Sequence, residues 1–440
     1  MSPLVTTPFA PRGAPADDDA LPDLFAVDAG GLTPGQYAEI LASKRGTQDA
    51  IAVHVRLPFC PSRCLNCDHH TTVTHNGDAI DAYIVALERE FALVTDRIGR
   101  GLTLSQLHLG GGTPNYLSDT QLVHLMDILD RHFHIGEGTV TSLEANPKRC
   151  SPSQLALLHG LGFRSLDLQI RDLDQDVQLA IGRSHSLPVL EDVIGCARSE
   201  GFSSVSLDLV YGLPMQSVDS VRHTAHRMVD LAPDRIACQT FAQRPDVFKH
   251  QRALDSHRQP SLADKVAMFN AASETLTTSG YDWVGLDCFA RETDPLAKAR
   301  EAGQLYRNWV GYTTRDCGNL YGFGADAVSQ LDEVNVQNKV QLDAWHRAIA
   351  GGELPVCTGE RLSEAEQRDQ RALNTLLCNL ELRDYDGLLD GNSRMLEELA
   401  RQGFVEISDD RVAVTEYGRF ALHQRWGDAS PHYRGALAVG

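Results

Sequence analysis

A chain of 440 residues with 42% hydrophobic and 22% charged residues has the balance of an ordinary globular protein, long enough for two domains or one large barrel with an appendage. Its formal net charge of −19 argues against a general nucleic-acid or anionic-membrane surface, because both need long-range positive potential. No run of eighteen apolar residues is present, which excludes a membrane-spanning helix.

Residues 1–48 open on "MSPLVTTPFAPRGAPADDDA", with consecutive aspartates and no apolar signal core. This predicts a partly disordered, non-exported segment and a cytoplasmic protein. The run "IAVHVRL" (51–57) is the first β-rich stretch, and after a cysteine-bearing loop Ile80, Tyr83, Ile84, Leu87, Phe91 and Val94 recur at helical spacing. The alternation then repeats. Strands expected at 104–110, 140–147, 165–170, 204–212 and 235–241 precede helices near 118–133, 151–160, 187–200, 217–231 and 261–279, and "DWVGLDCF" (282–289) closes the series. Short connections through crossover helices require parallel strands. Six or seven such units predict an α/β fold, a full or partial parallel β/α barrel spanning 49–350. Neither a Gly-x-Gly-x-x-Gly turn nor a Walker lysine points to a nucleotide-binding open sheet.

Beyond residue 350 the composition changes. "GGELP" (351–355) reads as a linker, followed by a helix, then helix, hairpin "VEISDDRVAVT" and helix. The region 351–440 is therefore expected to be a C-terminal helical, winged-helix-like domain. Given the acidity of the chain, it reads as a packing appendage to the barrel rather than a nucleic-acid binder. The last residues, "SPHYRGALAVG", read as a loose tail.

Of the ten cysteines, seven stand singly and read as small buried apolar residues in a reducing cytoplasm. Cys60, Cys64 and Cys67 form a C-x3-C-x2-C cluster in "RLPFCPSRCLNCDHH". Zinc would need a fourth ligand, His69 or His70, and four ligands in so short a loop are cramped. A thioredoxin-type pair, Cys64 and Cys67, would not directly follow a strand, and a third cysteine precedes it. The third reading is an iron–sulfur cluster on three thiolates, with one iron open to a small molecule. The loop's place after the first strand, on the face where such barrels build active sites, favours this reading.

The cluster motif and the following "LHLGGGTPNYL" resemble the radical S-adenosylmethionine superfamily. More narrowly, "DLVYGLPMQ" (208–216), "DCFARETDPLAKA" (287–299), "LYRNWVGYTT" (305–314) and "YGFGADAVS" (321–329) are similar to the oxygen-independent coproporphyrinogen III oxidase family, over roughly residues 50–425. The resemblance implies a [4Fe–4S] cluster on Cys60, Cys64 and Cys67, and one or two molecules of S-adenosylmethionine. It assigns Gly110, Gly111, Gly112, Thr113, Glu144, Arg171, Arg183 and Asp208 to cofactor binding, the glycines because a missing Cβ lets the backbone approach closely. Arg291 and Arg307 become candidate partners for the propionates of a tetrapyrrole substrate. The implied reaction is radical decarboxylation of propionate to vinyl in haem biosynthesis, with an external electron donor and acceptor. The chain departs from the family pattern at His54, Arg56, Asp68, His69, Arg171 and Gln243. Two alternatives therefore stand beside the oxidase: a related enzyme with other tetrapyrrole chemistry, such as methyl transfer, and a non-catalytic haem-binding chaperone.

Overall fold

The computed structural model describes residues 31–47, 50–254, 258–316, 318–383 and 394–429. The expectations for the first thirty residues and for the tail after 429 lie outside them. Helix α1 (Pro34–Ser43) starts at a reciprocal capping box between Thr33 and Gln36. Six strands then run parallel and pair in chain order: β1 (Ala50–Leu57), β2 (Leu102–Gly111), β3 (Val140–Ala145), β4 (Ser165–Arg171), β5 (Ser204–Tyr211) and β6 (Arg235–Thr240). Between them lie α2 (Gly77–Ile98), α3 (Asp119–His132), α4 (Pro152–Gly160), α5 (Gln175–Ala180), α6 (Leu187–Glu200) and α7 (Val218–Asp230), and α8 (Leu262–Thr278) follows β6. Serine capping boxes at Ser118, Ser217 and Ser261 set the starts of α3, α7 and α8, close to where the periodicity puts them.

Period-two alternation decides which way each strand faces. In β4, Leu166, Leu168 and Ile170 are buried in one cluster with the apolar faces of the helices. Ser165, Asp167, Gln169 and Arg171 point the other way, into a cavity. The interior of this barrel is thus polar, and the main hydrophobic core lies between sheet and helices.

The run expected to close the parallel series does something else. Residues 281–291 form an antiparallel hairpin, β7 (Tyr281–Val284) and β8 (Cys288–Arg291), and β8 is antiparallel to β6. The chain reverses at Gly285, whose φ is +56°, and the Tyr312 ring sits 2.5 Å from where a Cβ would stand. After α9 (Pro295–Glu301) come a small hairpin, β9 (Tyr306–Asn308) and β10 (Gly311–Thr313), and then β11 (Leu320–Phe323), which pairs parallel with the free edge of β1. Antiparallel β12 (Val328–Leu331), β13 (Val334–Asn338) and, after α10 (Leu342–Ala350), β14 (Val356–Arg361) extend that side. Among the described residues no pairing joins β7 to β14, so the barrel is of the partial kind. The sheet also runs past the boundary expected at 350, and the supposed linker is the turn that returns the chain into β14.

The C-terminal part comprises α11 (Glu364–Asn379), β15 (Glu381–Arg383), α12 (Arg394–Arg401), β16 (Val405–Ser408), β17 (Arg411–Val414) and α13 (Glu416–Ala429). Its three strands form a separate sheet, and its core gathers Leu373, Leu376, Leu399, Phe404 and Val412 around Leu286 of the barrel hairpin. Arg419 fastens it there. The guanidinium stacks 3.6 Å over Trp283 and donates to the carbonyls of Trp283 (2.6 Å) and Gly285 (2.8 Å).

Two local features bear on the site. The chain leaving β1 is seated on the glycine run after β2: Gly112 N donates to Leu57 O (2.8 Å) and Thr113 N to Phe59 O (2.9 Å). A Cβ on Gly112 would stand 2.6 Å from Phe59 O and 2.8 Å from Leu57 O, so only glycine fits. Separately, the buried Glu90 on α2 accepts from Gly324 N and Asn338 Nδ2, each at 2.7 Å, tying α2 to the β11 side of the sheet. Burial pushes its carboxyl up to about 7 against these hydrogen bonds.

Gly112→Ala is expected to lift the cysteine loop off β2, lowering the melting temperature by several degrees and speeding alkylation of Cys60, which is 9% exposed. An unchanged alkylation rate would refute the seat. The Glu90 carboxyl titrates higher in the folded than in the unfolded chain, so it favours folding fully at pH values below its unfolded pKa. That contribution, on the order of 3 kcal/mol, is lost as the pH rises through about 7. Glu90→Gln should therefore narrow the difference in melting temperature between about pH 5 and about pH 8.5, measured by thermal scans.

Candidate active site

Inside the curve of the sheet lies a cavity of about 640 Å³. Its wall comes from the inward positions of β2 to β6, from the β9–β10 hairpin, and from α11 on the C-terminal side. The cysteine loop contributes Asp68 and His69 to the rim.

Cys60, Cys64 and Cys67 are all free. Cys60 is buried, and its Sγ accepts from the Thr113 hydroxyl at 3.4 Å. Burial pushes the Cys60 thiol up to about 11; Thr113 opposes this, while Cys67 and Cys64 push it further, as three thiols in one loop must. The loop is clasped from two sides. Leu65 N donates to Ile181 O (2.9 Å), and Cys67 O receives His250 Nε2 (2.7 Å) and Gln251 Nε2 (3.0 Å). Among the described residues no group of His, Cys, Asp or Glu is gathered for a single metal ion. Three free thiols in one loop are a donor set that fits an iron–sulfur cluster, each sulfur taking a different iron.

The glycine run serves the protein as well as any ligand. Beyond Gly112, a Cβ on Gly110 would meet His108 Nε2 at 2.8 Å, and one on Gly111, at φ +109°, would meet Arg56 Cγ at 2.7 Å. Gly111 N donates to Glu144 at 3.1 Å, and Gln169 Nε2 donates to the same carboxylate at 2.9 Å. Burial, the largest single influence, would raise Glu144, but His108, 3.7 Å away, His69 and the Gly111 amide together outweigh it, so the carboxyl sits well below the usual range.

Asp208, on β5, receives Ile170 N, Arg171 N and Arg171 Nη1 (2.9 Å). Arg171 takes a left-handed backbone, φ +73°, where the β4–β5 register shifts. These two expected cofactor contacts are thus bound to each other. Arg183 is half-buried beside Gly182, which abuts Leu65 of the cysteine loop, and its charge is felt at Cys60. Arg307 lines the cavity over the Tyr312 ring, 3.9 Å from Asp287.

Arg291 does not reach the cavity. Because β8 runs antiparallel to β6, this residue ends beside the start of β6, donates to Pro233 O (2.9 Å) and lies over the Tyr281 ring. The substrate role expected of it is withdrawn on that ground. The departures from the family pattern are all placed near the site. The His54 ring lies 5.4 Å from His108, Arg56 pairs with Asp326 (3.0 Å), and Asp68 pairs with His69 (2.6 Å). Gln243 donates to Gln251 O at 2.7 Å, behind the clasp on Cys67.

Several wall residues have no role that the resemblance assigns: His108, Asp167, Gln169 and Asp287. One signal was present. Strands buried on both faces read as continuous apolar runs, yet "VTSLEA", "SLDLQI" and "SVSLDL" alternate, which marks one face as turned toward something polar.

A Radical SAM superfamily model matches residues 55–228. The oxygen-independent coproporphyrinogen III oxidase of Bradyrhizobium diazoefficiens is 32% identical over 402 residues, covering 89% of both chains. That of Salmonella typhimurium is 31% identical over 400 residues, covering 88% of this chain and 86% of its own. The solved coproporphyrinogen III oxidase of Escherichia coli, a radical SAM enzyme, superimposes with a TM-score of 0.84 at 29% identity, over 92% of this chain and 95% of that one. Matches of this length, on the same fold, make this chain a member of the oxygen-independent coproporphyrinogen III oxidase family, radical oxidoreductases that use a [4Fe–4S] cluster and S-adenosylmethionine.

Proposed function

We propose that the protein oxidatively decarboxylates propionate side chains of coproporphyrinogen III. The observation that supports this most directly is the cavity lined by polar side chains, with residues of the loop that carries three free cysteines at its rim. In this reading Cys60, Cys64 and Cys67 hold the cluster, and Thr113 steadies the most buried thiolate. When bound, cluster and S-adenosylmethionine supply a one-electron cleavage that generates a carbon radical able to take hydrogen from the propionate. Glu144, kept anionic, receives the cofactor's amino group, and the Gly110–Gly112 backbone flanks it. The Arg171–Asp208 pair offers the carboxylate for ribose hydroxyls, and Arg183 the charge for the cofactor's carboxylate. The curved wall excludes water around a reactive centre, and Arg307 orients a propionate within it. Loss of carbon dioxide leaves one electron to be removed, so an external acceptor is required, as is an external electron donor. The uniformly free cysteines among the described residues support a reducing, cytoplasmic setting. Among those residues no helix is long and apolar enough to cross a membrane.

Reconstituted protein, assayed without oxygen on coproporphyrinogen III and S-adenosylmethionine, is expected to yield the divinyl product. Cofactor cleavage without that product would move the substrate elsewhere, to other tetrapyrrole chemistry. Stoichiometric haem binding without cleavage would favour a chaperone. Cys64→Ala should abolish the cluster's visible absorbance and the activity together. Arg307→Ala is expected to raise KM roughly tenfold or more, whereas Arg291→Ala should leave KM unchanged, as steady-state kinetics of the two variants will show.

A further inference from the structure

Asp287 sits in the turn between β7 and β8, and the antiparallel hairpin brings it into the cavity wall. Its carbonyl receives Cys238 N at 2.7 Å, which fixes the residue against β6. The residue is 8% exposed. Oδ2 faces Arg307 Nη2 at 3.9 Å, too far for a hydrogen bond, and the buried Oδ1 has no hydrogen-bond partner. Close by, the buried His423 meets the Tyr211 hydroxyl through Nε2 at 2.8 Å.

A carboxylate oxygen withdrawn from water and given no donor is unstable unless something bound supplies one. Asp287 lines the cavity, so a bound ligand is one source of that donor. Eight carboxylates line that cavity against three arginines, and each of the three already faces an aspartate: Arg171 with Asp208, Arg235 with Asp294, Arg307 with Asp287. Acceptors are therefore in surplus. This part of the wall suits a ligand's N–H groups better than its carboxylates.

We propose that Asp287 is a specificity-determining residue whose Oδ1 accepts hydrogen bonds from pyrrole N–H groups at the centre of the tetrapyrrole, with Arg307 beside it taking a side-chain carboxylate. The inference rests on the substrate reading above and adds the group that recognises the macrocycle itself. The pair divides the labour: the arginine senses charge at the periphery, and the aspartate senses the reduced, N–H-bearing centre.

Anaerobic binding of coproporphyrinogen III and of its tetramethyl ester separates the two roles, because the ester lacks the carboxylate charges and keeps the pyrrole N–H groups. Asp287→Asn is expected to weaken both ligands by roughly tenfold or more, with binding of S-adenosylmethionine and the melting temperature unchanged. Arg307→Gln should weaken only the free acid. Asp287→Glu, which keeps the carboxylate that Asp287→Asn replaces with an amide, should bind the ester within a few-fold of wild type; a loss as large as that of Asp287→Asn overturns the proposal. So does an Asp287→Asn protein that binds both ligands normally, or one weakened only toward the acid, and in either case the substrate reading survives. If the wild type binds neither ligand, the substrate reading fails and takes this inference with it.

Discussion

The seat of the cysteine loop on the Gly110–Gly112 run is the constraint from which the rest of the site follows. Strands β1 and β2 end in register, Leu57 beside Gly111, and the chain leaving β1 is then held by two backbone hydrogen bonds with no room for a side chain between. From that fixed edge, contacts pass from strand end to strand end. Gly111 holds Glu144 on β3, Gln169 on β4 reaches back to the same carboxylate, and Asp208 on β5 holds the last turn of β4 by two amides and a guanidinium. Each group is positioned by its neighbour's backbone, so the thiols and the carboxylates share one rigid frame. Such preorganisation is what a reaction through a reactive radical demands of its protein.

Most parallel barrels fill their interior with layers of branched apolar side chains. Here the interior is kept open and polar, and the cost is met by pairing: Arg56 with Asp326, Arg171 with Asp208, Arg235 with Asp294. Ion pairs of this kind add little net stability, since desolvation cancels much of their attraction. Their use is positional. Stability comes instead from the apolar layer between sheet and helices and from the docking of the C-terminal unit through Leu286 and Arg419.

The alternation of strands and helices was legible because the outward face of each strand carries regular aliphatic spacing and three helices begin at serine boxes. The cysteine spacing left zinc, a redox pair and a cluster open, and it was the loop's place after the first strand, with the motifs that follow, that favoured the cluster. Residues 281–291 were misread for a clear reason: a short apolar run carries no sign of its direction, and the one hint, Gly285, is a common residue until its φ is known. Arg291 fell with that error, because strand direction decides which end of the sheet a residue occupies. Asp287 was invisible for the opposite reason. It lies within a recognisable motif, but its unsatisfied oxygen emerges only when four separate segments close around it.

One consequence concerns biosynthesis. Strand β1, which delivers the cysteine loop, finds its second neighbour only in β11, so one of its edges stays unpaired until residues near 320 have left the ribosome. The clasp on Cys67 likewise waits for His250 and Gln251. While the chain grows, the thiols are displayed on a half-finished sheet whose open edge invites mispairing. The surroundings of the cysteine loop are accordingly complete only after the far end of the polypeptide has come back to the strand that delivers it.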